Sequence, residues 1–148
     1  MKKTLVLGLG NTLRGDDGVG VRAVENLTLE ADVMSGATAG FSLLESMKNY
    51  EKVVVVDAVE MGQAPGTIAR FSAEAVLGLP VARNFSLHDF GLLEVLKMGK
   101  ALNEGFNNVI IIGVQPGNLM ATEKLSPEVA EKIPGIIAAI KKEVEICL

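Results

Sequence analysis

The chain has a single cysteine, Cys147, so it can form no internal disulfide. That fits a reducing compartment, and Cys147 reads as a small apolar residue of the last helix rather than a nucleophile. No basic block is present, and 14 Lys+Arg stand against 18 Asp+Glu for a net charge of −4. Nucleic acid is therefore not an expected partner. No apolar run is long enough to cross a bilayer. The opening Met1-Lys2-Lys3 faintly imitates a secretion signal, but the apolar run stops at Asn11. Arg14, Asp16 and Asp17 follow it with no small-residue cleavage site. The expectation is a soluble, cytoplasmic protein. Repeats, linkers and low-complexity segments are lacking too, so residues 1–148 are read as one domain.

What is present is apolar and evenly spread. Hydrophobic residues make up 49% of the 148 positions and charged residues 22%, enough to bury a substantial core and too little charge for a disordered chain. Three unalternating apolar runs, 5–9, 53–56 and 109–114, predict strands covered on both faces, as in a parallel sheet. Weaker strands are predicted at 31–35 and 67–71. The second follows the turn Ala64-Pro65-Gly66 and is expected to form an antiparallel edge hairpin with 53–56. Helical spacing appears over 17–27, 41–50, 87–102 and 126–147. In the last of these, Ser126 is the expected N-cap, Pro127 the first helical residue, and Pro134-Gly135 a kink or a break between two helices. Its stripe Ile136, Ile137, Ile140, Val144 should face the core. Strands alternating with helices predict an α/β fold: a three-layer sandwich of about five mostly parallel strands with helices on both faces.

In such a sheet, ligands bind beyond the carboxyl ends of the strands. Gly8-Leu9-Gly10 and Gly15 lie at the first such end. They are not a dinucleotide fingerprint, because the position of the third glycine is Leu13, and no Gly-Lys-Ser/Thr makes a phosphate loop. No serine sits in a nucleophile elbow. The acids are more informative. Asp16 and Asp17 open the first helix, where one of them should cap free N–H groups and leave the other for a different task. Asp57 directly follows four valines, at the expected tip of a central strand. His88 is the only histidine. Asp17, Asp57 and His88 suit a divalent transition metal with open positions, and equally an acid–base site. Asn11 and Gln115, at other strand ends, are candidates for holding the backbone around them.

Taken together, these segments resemble the hydrogenase maturation endopeptidases. The resemblance rests on Gly8-Leu-Gly-Asn11 with Gly15-Asp-Asp-Gly-Val-Gly20, on Val56-Asp57-Ala58, and on Ser86-Leu-His88-Asp-Phe-Gly91. Two further pieces are similar: Gly36-Ala-Thr-Ala-Gly40, and Ile112-Gly-Val-Gln-Pro116 with Leu125-Ser-Pro127. It implies an aspartic- or metal-assisted endopeptidase that removes the C-terminal extension of a nickel–iron hydrogenase large subunit after nickel insertion. It further implies that Asp17, Asp57 and His88 bind nickel carried by that precursor, the expected partner. A chaperone that checks the metal without cutting would need the same three residues. Asp17 stands where some members of the family have Glu, and Ala37 where their loop has a second glycine.

Overall fold

The structure is a computed structural model that describes residues 2–36, 45–78, 86–87, 96–97 and 108–145. Its strands are β1 (Lys2–Leu9), β2 (Asp32–Gly36), β3 (Tyr50–Glu60), β4 (Ile68–Ser72), β5 (Ser86–Leu87) and β6 (Val109–Val114). Its helices are α1 (Val19–Val24), α2 (Ala73–Gly78), α3 (Pro127–Ala130) and α4 (Ile133–Glu145), with a 3₁₀ turn over Gly15–Gly18. The main sheet runs β2-β1-β3-β6-β4. β1 is parallel to β2 and β3, and β3 is parallel to β6. This is the expected α/β sandwich with a mostly parallel sheet.

The apolar runs form the three inner strands because each can bury both faces. Val53, Val55 and Val59 of β3 join Leu5, Leu7, Met47, Leu96 and Ile111 in one core. Val54, Val56 and Ala58 join Val19, Val24, Ile112, Ile136 and Ile140 in the other. Strand alternation thus divides β3 between two layers of packing. Burying one such aliphatic side chain contributes roughly 1.5–3 kcal/mol.

Three expectations need correction. β4 is an antiparallel edge strand, but its partner is β6, with Ile68 opposite Val114 and Ser72 opposite Ile110. β3 cannot be that partner, since β1 and β6 already occupy its two hydrogen-bonding edges. The predicted helix over 41–50 is also cut short. Residues 45–47 make a helical turn, and Tyr50 already starts β3. Likewise Ser86–Leu87 is strand where 87–102 was predicted helical, although 96–97 is helical with Leu96 buried. Leu43, Leu44, Leu92, Leu93, Leu102 and Cys147 lie outside the described residues.

The C-terminal segment follows the expectation in its start and its break but not in its whole stripe: Ile137 is only half-buried and does not join the core, where Ile133 and Ala139 pack instead. Pro127 is at the start of α3 and Ser126 is its N-cap. The chain then breaks and restarts as α4, with Pro134 in the first turn, where its missing N–H costs nothing. Ile136 and Ile140 are fully buried, and Val144 packs beside them. Among the described residues, no helix is long and apolar enough to cross a membrane.

Candidate active site

The absence of side chains lets the start of α1 approach the carboxyl ends of the paired strands β1 and β3. Gly10 has φ 126°, and a Cβ there would lie 1.9 Å from the carbonyl oxygen of Asp17. A Cβ on Gly20 would lie 2.0 Å from the Val56 oxygen and 2.6 Å from that of Leu9. Only glycine permits both the conformation and the contact. The first turn of α1 therefore rests directly on the ends of β1 and β3. This brings the segment carrying Asp17 to the sheet edge next to the residue preceding Asp57.

The two acids of the pair have separate tasks, but neither caps α1, whose N-cap is Gly18. The pair lies one turn upstream, in the 3₁₀ segment. Asp16 is completely buried and reaches across to the segment after β6. Its Oδ2 accepts the Gly117 and Asn118 N–H groups, both at 2.8 Å, and the Ser126 hydroxyl at 2.7 Å. Its Oδ1 accepts the Ser126 N–H at 2.7 Å. Burial pushes this carboxyl up, but the hydrogen bonds from Asn118, Ser126 and Gly117 more than offset that and hold it below the usual carboxylate range. The Ser126 hydroxyl is used here and does not cap α3. No local pattern announces this arrangement, because the partners are 101 to 110 residues away.

Asp17 turns back onto its own loop. Its Oδ2 accepts the Asn11 N–H at 3.0 Å, and the residue is 7% exposed. The Asn11 side chain in turn accepts the Leu13 N–H at 2.9 Å, so Asn11 holds backbone as anticipated.

Asp57 is fully buried and lies inside β3 rather than at its tip. The pairing with β1 ends at Gly8 opposite Val56, one residue earlier, while that with β6 continues to Ala58 opposite Val114. Asp57 is thus the first β3 residue beyond its register with β1. Its Oδ1 accepts the Ala58 N–H at 2.8 Å. By alternation it shares the face of Val55 and Val59, the layer that holds Met47 and Leu96.

The extension of β3 past Asp57 serves two further contacts. β5 pairs with it in antiparallel register, Leu87 opposite Val59 and Ser86 opposite Glu60. The chain leading into His88 is thereby fastened two residues past Asp57; His88 itself lies outside the described residues. Beyond β3, Gln115 is buried and holds the turn. Its Oε1 accepts the Met61 and Gln63 N–H groups at 2.7 and 3.2 Å, and its Nε2 donates to Glu60 at 2.9 Å and to the Pro116 carbonyl at 3.1 Å. It is a backbone-holding residue, as anticipated. Among the described residues, no three His, Cys, Asp or Glu side chains gather into a set that could hold a metal.

Known proteins share this architecture. A family model described as hydrogenase maturation protease matches residues 21–143. The chain is 37% identical over 145 residues to the hydrogenase expression/formation protein HupD of Thiocapsa roseopersicina, covering 93% of this chain and 66% of that protein. It is 34% identical over 138 residues to the hydrogenase 2 maturation protease of Escherichia coli K12, covering 88% and 84% of the two chains. Among solved structures, the hydrogenase maturating endopeptidase HybD of E. coli superposes with a TM-score of 0.81 at 28% identity, over 96% of this chain and 91% of that one. The [NiFe] hydrogenase maturation protease HybD of Thermococcus kodakarensis gives 0.82 at 26% identity, over 97% and 99%. The family match over most of the length, with the same fold in these relatives, shows that the chain belongs to the hydrogenase maturation protease family.

Proposed function

We propose that the protein is an endopeptidase that removes the C-terminal extension of a nickel–iron hydrogenase large-subunit precursor once nickel has been inserted. The observation that carries this reading is the arrangement at one sheet edge: Asp17 just before the turn of α1 that rests on Val56, and Asp57 immediately after Val56. The anchoring of Leu87 opposite Val59 supports His88 as the third member. In this reading nickel arrives as part of the substrate, and Asp17, Asp57 and His88 are its contacts on the protein. Two carboxylates and an imidazole are a donor set suited to a divalent transition metal. Docking through the metal would orient the scissile peptide without a long sequence-reading groove. Hydrolysis then falls to a water activated on the substrate's nickel or to a carboxylate acting as general base. Asp16 is excluded from these roles, because both of its oxygens already serve the segment after β6.

The test is cleavage of a precursor large subunit, with and without nickel, followed by mass spectrometry. Release of a C-terminal peptide from the nickel-loaded precursor alone is expected. Asp17→Ala, Asp57→Ala and His88→Ala should each slow release by at least about a hundredfold. Normal processing by Asp17→Ala and His88→Ala would overturn the assignment. Stable binding without release would identify a metal-checking chaperone instead.

A further inference from the structure

Leu13 and Met120 are 60% and 74% exposed, more than any other large apolar side chain among the described residues. They sit on different segments, the turn after β1 and the loop after β6, that are zipped together. Thr122 N–H donates to the Leu13 carbonyl at 3.1 Å, Gly15 N–H to the Thr122 carbonyl at 2.8 Å, and Asp16 N–H to the Asn118 carbonyl at 2.7 Å. Each apolar residue follows an asparagine that holds it from two positions back: Asn11 Oδ1 accepts the Leu13 N–H at 2.9 Å, and Asn118 Oδ1 accepts the Met120 N–H at 3.0 Å. The backbones are thus fixed by local Asx hydrogen bonds, while the side chains are left in water. Beneath them the buried Asp16 carboxylate ties the two segments together. The patch is also connected to the site, because the Asn11 that holds Leu13 donates its own N–H to the Asp17 carboxylate.

We infer that Leu13 and Met120 form a docking patch for an apolar segment of the hydrogenase large-subunit precursor, next to the point where its chain meets Asp17. This inference rests on the function proposed above. The size of the patch selects the occupant. Two side chains cover far less than the ~800 Å² per partner that a stable association needs, which suits a transient enzyme–substrate contact. A permanent second copy seated here would also cover the edge that carries Asp17. Apolar anchors at the centre of a small contact, held rigid beforehand, are where binding energy concentrates.

The experiment is a Leu13→Ser/Met120→Ser double variant, with Leu13→Met/Met120→Leu as the volume-conserving control. Precursor binding and steady-state cleavage are measured for both alongside the wild type. The expected result is a KM roughly tenfold to a hundredfold higher for the serine variant, with kcat within about twofold, an unchanged melting temperature, and recovery in the control. An unchanged KM and binding constant in the serine variant, while the wild type cleaves, overturns the patch and leaves the proposed function standing. If the wild type binds precursor without cutting it, the proteolytic reading fails, and the same fold-change in binding still decides the patch. A wild-type protein that neither binds nor cuts overturns both. Sedimentation showing a wild-type dimer abolished by the serine variant would assign the patch to a second copy of the chain, against the inference.

Discussion

Replacing Asp16 by Asn tests whether this buried carboxylate, and not apolar packing alone, holds the two site loops together. As an anion Asp16 accepts four hydrogen bonds, from Gly117 N, Asn118 N, Ser126 N and Ser126 Oγ. Asparagine keeps the shape but has one oxygen. Its amide NH₂ must then face at least one backbone N–H, which puts donor against donor. Hydrogen bonds to charged groups are worth about 1.5–3 kcal/mol each, though they do not add, and water can reach the partly exposed loop after the change. A net loss of about 2 kcal/mol follows for Asp16→Asn, and roughly 3–4 kcal/mol for Asp16→Ala, which leaves all four donors without an acceptor. At about 3 °C per kcal/mol for a domain of this size, Asp16→Asn should lower the thermal midpoint by roughly 6 °C at pH 7, read by circular dichroism. The sign of the pH dependence follows from the depressed pKa. The carboxylate's contribution is fully present above the ordinary Asp pKa and is lost as pH falls through its lower folded value. The gap between wild type and Asp16→Asn should therefore narrow in acid. A variant melting within about 1 °C of wild type at pH 7, or a gap that does not change with pH, would refute the reasoning.

Other parts of the structure give equally direct tests. Gly20→Ala places a Cβ 2.0 Å from the Val56 oxygen, so α1 must move off the sheet; a loss of roughly 3 kcal/mol in urea denaturation is expected, with cleavage lost as well. Gln115→Ala removes the acceptor for Met61 and Gln63 N–H, and should cost about 2 kcal/mol while speeding hydrogen exchange at those two amides selectively. Near the opposite end of β3, the Lys52 ammonium donates to Glu143 Oε2 at 3.1 Å and to its carbonyl at 2.6 Å, and Arg70 also binds the Glu143 carboxylate. Burial pushes Glu143 up, but Arg70 and Lys52 bring it below its ordinary value. Lys52→Met and Glu143→Leu should each cost about 3 kcal/mol, yet the double variant should cost less than either, because it leaves no buried charge. Strictly additive losses in that cycle would count against this account.

The fold was legible wherever the local sequence decides it. Runs such as 53–56 and 109–114 bury both faces, so their lack of alternation identified β3 and β6. Pro127 after Ser126 marked the start of α3, because proline fits a first helical turn. The turn at 64–66 marks β4 but not its partner, since which edge is open depends on where β1 and β6 lie and not on anything in 67–71. The site divides the same way. Asp57 stands out because an acid after four valines interrupts an apolar strand. Gln115 drew notice only as a residue at a strand end, and its grip on Met61 and Gln63 depends on a turn in another part of the chain. From sequence Asp16 looks like a helix cap, because its real partners are more than a hundred residues away. Hydrogen-bond partners set by the return of the chain leave no spacing to read.

The adjacent acids show why such a pair can be divided between two tasks. Successive residues of a 3₁₀ turn point about 120° apart, so two carboxylates on neighbouring positions cannot face the same ligand. Asp16 turns inward, loses its water, and is held ionised by four donors from a distant segment. Asp17 keeps slight exposure and takes one backbone N–H from its own loop. If the first carboxyl were neutral, one of its oxygens would carry a hydrogen and face an N–H donor, and the tie between the loop bearing Met120 and the turn bearing Leu13 through that group would be weakened. The buried charge thus sets the relative position of two loops while the second acid stays at the edge of the sheet. This makes Asp16→Asn and Asp17→Asn opposite experiments. The first should lower stability, with activity falling alongside it. The second, slightly exposed and with its Asn11 contact available to the amide oxygen, should leave the melting temperature within about 2 °C of wild type while, under the proposed function, abolishing processing of the nickel-loaded precursor.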